Sequence, residues 1–180
     1  MTLKQILWKI TKLIEEYDAE NASNYCEDED FDLKIRDCIN SIMYELCRFK
    51  KIPAIKEIEV QKDEEYIITD TIKDFYQLKK ITGVDYSMTL NEIIFLESGK
   101  AKIYYYKYPE MIDDNTSTNY KFELSMDALE ILPLGVAGLI LASDPSNGYG
   151  NTYTQLYESK KQYLDSRLGP SYFIEGGYDI

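Results

Sequence analysis

The chain has 180 residues and a formal net charge of −12, because 32 Asp and Glu residues outnumber 20 Lys and Arg residues. It has no histidine, which excludes Ser-His-Asp and Cys-His catalytic pairs, imidazole metal ligands and imidazole pH switches. The acidity argues against docking on nucleic-acid phosphates or anionic membranes as the main activity. The length fits one globular domain.

Two helices are predicted in the first 51 residues, separated by an acidic segment. Apolar residues recur at three- and four-residue spacing over residues 2–17 and again over residues 33–51, and Pro53 marks the end of the second helix. Residues 18–32 contain seven acidic and no basic side chains, which predicts a solvated linker.

The pattern after Pro53 is typical of an antiparallel β region. Lys62-Asp63-Glu64 predicts a turn between two strands, and Ser98-Gly99 predicts a tight hairpin between the strands that flank it. The strand over residues 100–108 is apolar or aromatic on both faces. We therefore expect helices to cover one face and a second layer or a neighbouring subunit to cover the other.

Two more helices are predicted in the C-terminal part, about residues 126–143 and 151–168, with Ser125 as the N-cap of the first. An extended lead-in over residues 119–124 precedes them, and residues 169–180 form a C-terminal tail.

The order of these elements predicts an α+β fold. We expect a mainly helical four-helix bundle with an inserted antiparallel β region, about residues 54–108, or about residues 54–124 with the loop and lead-in that follow. The whole chain, residues 1–180, is expected to form a single domain.

No motif predicts catalysis, a metal site or a cofactor. The acidic run Glu27–Asp32 lacks the glycine and the bidentate glutamate of a calcium loop, so a solvated acidic loop is the better interpretation. The glycine pairs near residues 135–138 and 148–150 match neither dinucleotide nor P-loop spacing. We expect a protein that is not an enzyme, with its three cysteines (Cys26, Cys38 and Cys47) as free thiols in a reducing compartment.

Seventeen tyrosines are the most informative feature of the composition. Four lie in or beside the strand over residues 100–108 and four on or beside the last predicted helix. Tyrosine is favoured at protein interfaces because it joins a large apolar body to a polar tip. Ordinary core and rim packing is the alternative.

Four segments of the C-terminal half follow one another in a distinctive order. The first segment is Ile103-Tyr-Tyr-Tyr-Lys-Tyr-Pro109, and a polar loop follows it. After the loop come Phe122-Glu-Leu-Ser-Met-Asp-Ala-Leu129, then Ile131-Leu-Pro-Leu-Gly-Val-Ala-Gly-Leu-Ile-Leu-Ala-Ser-Asp144, and finally a tyrosine-rich helix. This succession resembles the head–tail connector (adaptor) proteins of tailed bacteriophages. In that family a β segment ends in Tyr-x-x-x-Pro, and a helix with a Leu-Pro-x-x-Val-Ala core leads to a tyrosine-rich final helix. The resemblance covers residues 100–168 in motif, and the β region here is longer than the small insertion of the family.

The resemblance implies a structural protein of the virion neck, synthesised in the cytoplasm of a bacterial host. Such proteins form a ring, commonly twelvefold, that binds the portal protein and the next neck or tail-terminator protein. DNA passes through the ring without specific binding, which an acidic lining favours because it repels phosphates. Neither a membrane nor a cofactor is involved.

Particular residues receive roles from this resemblance. The acidic loop is expected to face the channel, the tyrosines to contact neighbouring subunits, and the aromatic tail either to bind the portal or to be a disordered terminus. The lumen-facing residues would be Glu27, Asp28, Glu29, Asp30 and Asp32, the subunit contacts Tyr104, Tyr106, Tyr108, Tyr153 and Tyr157, and the portal contacts Tyr172, Phe173, Ile174 and Tyr178.

Two alternatives belong to other classes of protein. A small acidic DNA mimic would inhibit a nucleic-acid enzyme, and it would need carboxylates in rows on one folded face. A metal-dependent hydrolase is opposed by the absence of histidine.

Overall fold

The computed structural model describes residues 1–15, 29–89, 92–142 and 148–166. These residues form five helices and six strands. The helices are α1 (Leu3–Leu13), α2 (Glu29–Phe49), α3 (Ile68–Thr71), α4 (Met126–Leu141) and α5 (Tyr149–Ser166). The strands are β1 (Ile52–Val60), β2 (Glu65–Ile67), β3 (Phe75–Thr82), β4 (Tyr86–Thr89), β5 (Glu92–Phe95) and β6 (Gly99–Lys107).

The first helix begins with a capping box. The Thr2 hydroxyl accepts a hydrogen bond from the Gln5 backbone N–H, and the Thr2 N–H donates to the Gln5 side chain at 2.9 Å. The same segment is held by the loop that precedes α4, because the Leu3 N–H donates to the Tyr120 carbonyl at 2.9 Å. The predicted lead-in over residues 119–124 forms no strand there, only an isolated bridge between Thr2 and Lys121.

The second helix begins earlier than predicted. It starts at Glu29 rather than Leu33, so Glu29, Asp30 and Asp32 belong to its first turn and not to a linker. The acidic side chain of Asp32 is favourable there because the N-terminal end of a helix carries partial positive charge.

Helices α1, α2, α4 and α5 contribute to one hydrophobic core. Helix α4 is nearly all apolar, and its two glycines allow a close approach to α5. A Cβ atom added at Gly138 would lie 2.6 Å from Thr154 Oγ1 and 3.2 Å from its backbone nitrogen. A larger residue at position 138 would therefore push the two helices apart. At Gly138 the neighbouring backbone is that of Thr154, whereas Gly135 faces the side chains of Tyr157 and Ile42.

The prediction of a mainly helical four-helix bundle is wrong, although the α+β class and the antiparallel strands are right. Among the described helices, only α4 and α5 pack closely as a pair. The strands form a second hydrophobic core of their own, with ten buried residues from Val60 to Tyr105. Apolar periodicity locates helices in the sequence, but it does not reveal that an inserted segment buries an independent core.

Each of the two sheets has three antiparallel strands, in the orders β1-β6-β3 and β2-β5-β4. Strands β1, β3 and β5 lead directly into β2, β4 and β6, and each of these three pairs crosses from one sheet to the other. Each pair therefore acts as one long strand, and the three long strands bend together at a corner between the sheets. The corner is held by backbone hydrogen bonds of 2.9 Å from Asp63 to Phe95 and from Leu96 to Asp85. Asp63 and Gly83 have positive φ there.

The two predicted turns, Lys62-Asp63-Glu64 and Ser98-Gly99, both lie at this corner. The prediction that Ser98-Gly99 closes a hairpin is wrong. Strand β5 pairs with β2 and β4, whereas β6 pairs with β1 and β3. The segment Lys62-Asp63-Glu64 likewise leads from β1 in one sheet to β2 in the other. Gly99 lies close to Val84, because an added Cβ would lie 3.1 Å from Val84 Cγ1 and that side chain would have to shift by a few tenths of an ångström. Small and turn-forming residues can thus mark a bend as well as a reversal.

Two further features bear on the predictions. Cys38 and Cys47 are free thiols, as predicted, and burial raises the pKa of both; Cys26 lies outside the described residues. None of the described helices combines the length and the apolar character that a membrane span requires.

Candidate interaction surfaces

The inner face of β6 packs within the β core. Ala101, Ile103 and Tyr105 are buried there together with Ile68 and Ile72 from the segment around α3. The expectation that the helical bundle covers this face is therefore wrong, because the bent sheet and α3 cover it.

Tyr105 also makes a polar contact from the β core. Its hydroxyl donates to Asp74 Oδ1 at 3.1 Å. Burial, together with this hydrogen bond and the Asp74 charge, raises the pKa of Tyr105 to about 12.

The outer face of β6 carries Tyr104 and Tyr106, and lysines lie over both rings. Lys80 Nζ is 4.7 Å from the Tyr104 ring centroid. Lys51 Nζ and Lys79 Nζ are 5.1 and 6.0 Å from that of Tyr106. Cation–π contacts of this kind are favourable at a protein surface.

A β-bulge explains how two consecutive lysines reach the same face. Side chains of a regular strand alternate between faces, so only one of Lys79 and Lys80 would lie outside. The register between β3 and β6 shifts between Leu78 and Lys80, and the ammonium groups of both lysines lie over tyrosine rings of the outer face.

Charges on the rest of this outer face are compensated across the strands. Lys102 Nζ lies 3.5 Å from Glu57, and Glu59 is opposite Lys100 in the β1–β6 register. Within the described part of the chain, Lys79 and Lys80 make no salt bridge with a carboxylate.

Positive charge is therefore concentrated around the two tyrosines. We call Lys51, Lys79, Lys80, Tyr104 and Tyr106 the lysine–tyrosine face. Its β1 side is apolar: Pro53 and Ile55 lie opposite Tyr106 and Tyr104, and Ile55 is 63% exposed.

Tyr108, predicted at a subunit contact, joins the two cores of its own chain. Its ring stacks on Tyr44 of α2 with centroids 4.3 Å apart, and the Tyr76 ring is 5.0 Å away on the β side. The backbone N–H of Tyr108 donates to the Asp74 carbonyl at 2.8 Å.

The two predicted tyrosines of α5 differ in burial. Tyr157 is 3% exposed within the helical core, so it has little surface to offer to a second subunit. Burial first, and then the charge of Glu45, raise its pKa. Tyr153 is half-buried and packs against the same core.

A buried lysine lies beside Tyr157. Lys161 is 8% exposed and forms salt bridges with Glu45 and Glu158. Burial lowers its pKa, but the hydrogen bonds to the two carboxylates outweigh this effect and leave the pKa raised. The cluster ties α5 to α2.

An apolar stripe on α5 was not singled out as an interaction surface from the sequence. Tyr149, Leu156 and Tyr163 are 62%, 43% and 64% exposed and follow one another at seven-residue spacing. That spacing places them on one side of the helix. The seven-residue spacing is visible in the sequence and could have identified this stripe. An open groove of about 290 Å³ lies beside Tyr163, between α4 and α5.

The acidic residues predicted to face a channel do not form one described loop. Asp32 accepts a hydrogen bond from the buried Arg36 at 2.8 Å, and Arg36 also donates to the Asp113 carbonyl at 2.7 Å. Glu29 and Asp30 lie in α2. Glu27, Asp28 and the tail residues Tyr172, Phe173, Ile174 and Tyr178 lie outside the described residues.

Among the described residues, no three Cys, Asp or Glu side chains form a cluster suited to a metal ion. Comparison with known proteins adds no further site. The sequence matches no protein-family model, and the search among curated proteins found no relative.

Proposed function

We propose that this chain is a structural, ring-forming protein of a phage neck, a head–tail connector between the portal and the tail. The observation that carries the proposal is the presence of two chemically unlike exposed surfaces. One is the cationic and aromatic lysine–tyrosine face on the β region, and the other is the apolar stripe of Tyr149, Leu156 and Tyr163 on α5.

Unlike surfaces suit a ring because of its symmetry. A twofold dimer joins a patch to a copy of itself, whereas a cyclic ring joins one patch to a different patch on the next subunit. Aromatic residues are enriched where such contacts form. The succession of motifs over residues 100–168, which resembles the connector family, supports the same proposal.

The charge of the chain is compatible with a channel for DNA. A net charge of −12 repels phosphates, so a genome can move past the protein without adhering to it.

The test is assembly of the purified chain, followed by native mass spectrometry and negative-stain electron microscopy over a series of protein concentrations. We expect closed rings with one subunit number. A chain that stays monomeric throughout the series would overturn the proposal, and inhibition of a nuclease by that monomer would favour the DNA-mimic alternative.

A further inference from the structure

The lysine–tyrosine face carries three lysines in a chain with a net charge of −12. Subunits of such a chain repel one another at long range. A ring therefore gains if one side of each contact is locally positive, because opposite potentials then meet across the interface.

We propose that the lysine–tyrosine face binds an acidic surface on a second copy of this chain, as one half of the contact between successive subunits. This inference rests on the proposed ring. It adds which surface of each subunit the next subunit of the ring contacts.

The geometry favours a protein surface over nucleic acid as the occupant. Lysine ammonium groups lie over both tyrosine rings at 4.7 to 6.0 Å, whereas single-stranded nucleic acid binds by stacking its bases on open aromatic faces. Glu57 and Glu59 on the adjoining strand compensate Lys102 and Lys100, so the positive charge does not continue along the strands as a track for a phosphate backbone.

The apolar side of the face points to the same occupant. Ile55 is 63% exposed beside Tyr104, and Pro53 lies beside Tyr106. An aliphatic residue next to aromatic rings and ammonium groups matches the mixture of apolar core and polar rim that protein interfaces use. A second copy supplies the carboxylates, because acidic residues outnumber basic ones in this chain by 32 to 20.

The first experiment is zero-length carbodiimide crosslinking, which joins a lysine to a carboxylate in direct contact. Unlabelled and ¹⁵N-labelled chains are mixed in equal amounts, so that a crosslink between copies is recognised by its mixed mass. We expect mixed crosslinks from Lys79, Lys80 or Lys51 to acidic residues of the other copy. Rings whose mixed crosslinks use other lysines alone would overturn this inference and leave the ring proposal standing.

The second experiment compares K79E/K80E with the control K4E/K34E. Both variants have the same net charge, and Lys4 and Lys34 are exposed on α1 and α2. Like charges placed across an interface are unfavourable. We therefore expect K79E/K80E to need at least about tenfold more protein for half-maximal ring formation, while the control changes less. Circular dichroism and urea midpoints check that both variants fold.

The remaining outcomes separate the two proposals. Equal assembly of the two variants would overturn the role of the lysine–tyrosine face alone. Binding of a fluorescent single-stranded oligonucleotide that K79E/K80E abolishes would overturn it in favour of nucleic acid. No ring from the unmodified chain at any concentration would overturn both the face and the proposed function.

Discussion

The ring of Tyr44 lies nearly parallel to the ring of Tyr108, with 4.3 Å between their centroids and 8° between their planes. Tyr44 belongs to α2, and Tyr108 directly follows β6. The stack therefore joins the helical part of the protein to the β region.

A double-mutant cycle with Y44A, Y108A and the double variant tests this contact. We expect a coupling free energy of about 0.5–1.5 kcal/mol, the range of aromatic pairs, measured by urea unfolding. The pair Y44F and Y108F is the control, because it keeps both rings and should keep most of the coupling. A cycle that closes to within about 0.3 kcal/mol would show that the stack contributes no stability.

Gly83 is required by the corner of the sheets. Its φ is +101°, and a Cβ atom there would lie 2.4 Å from the Lys100 carbonyl oxygen. We expect G83A to lower the free energy of unfolding by about 1–3 kcal/mol, since both the backbone conformation and the contact are unfavourable for alanine. The control is G148A, where an added Cβ meets nothing within 4 Å. Equal stability of the two variants would contradict this account of the corner.

Tyr105 makes stability depend on pH in the alkaline range. Its pKa is about 12 in the folded protein and about 10 in an unfolded chain. Between these values the folded state keeps a proton that the unfolded state releases, so stability falls as pH rises above about 10.

The variant Y105F removes this titration and also the hydrogen bond to Asp74. We expect Y105F to be less stable than the unmodified protein near neutral pH, and the two stability curves to converge as pH rises above about 10. Urea unfolding at a series of pH values measures both curves, and Y86F, which alters an exposed tyrosine of β4, serves as control. Curves that run parallel through this range would refute a raised pKa at Tyr105.

Lys161 should contribute more to stability than its neighbour Lys160. Lys161 is buried between Glu45 and Glu158 and lies 4.9 Å from the Tyr157 ring centroid, whereas Lys160 is exposed. We expect K161M to cost about 1–3 kcal/mol, because two partly buried carboxylates lose a charged hydrogen-bond partner. The same change at Lys160 should cost less than about 0.5 kcal/mol. Similar urea midpoints for K160M and K161M would contradict the prediction.

The local parts of the fold could be predicted from the sequence. Helical spacing depends on residues three and four apart, so the segments of α1, α2, α4 and α5 are visible in the sequence. Pairing between distant strands is not a local property. Ser98-Gly99 has the composition of a hairpin turn, yet the chain bends there and continues into a second sheet. Only the partners of β5 and β6 distinguish the two cases.

The candidate surface was predictable in part for the same reason. Lys102, Tyr104 and Tyr106 alternate along one strand and therefore share a face. Lys79 and Lys80 come to that face from another strand through a bulge. The charges of the surrounding sequence do not reveal this arrangement. Tyr153 and Tyr157 look alike in the sequence, but the position of α4 decides that Tyr157 is buried.

The shared corner of the three long strands has a consequence for the order of folding. The strand pair β4–β5 and its continuation β3–β6 close between residues near in the chain, beginning at Thr89 and Glu92. Strand β1 must find β6 from farther away in the chain, as in the pairing of Ile52 with Lys107. Because distant pairings form more slowly, we expect pulsed hydrogen exchange during refolding to protect β3 amides before those of β1. Since β1 provides the apolar side of the lysine–tyrosine face, we expect that surface to become complete only when β1 pairs with β6.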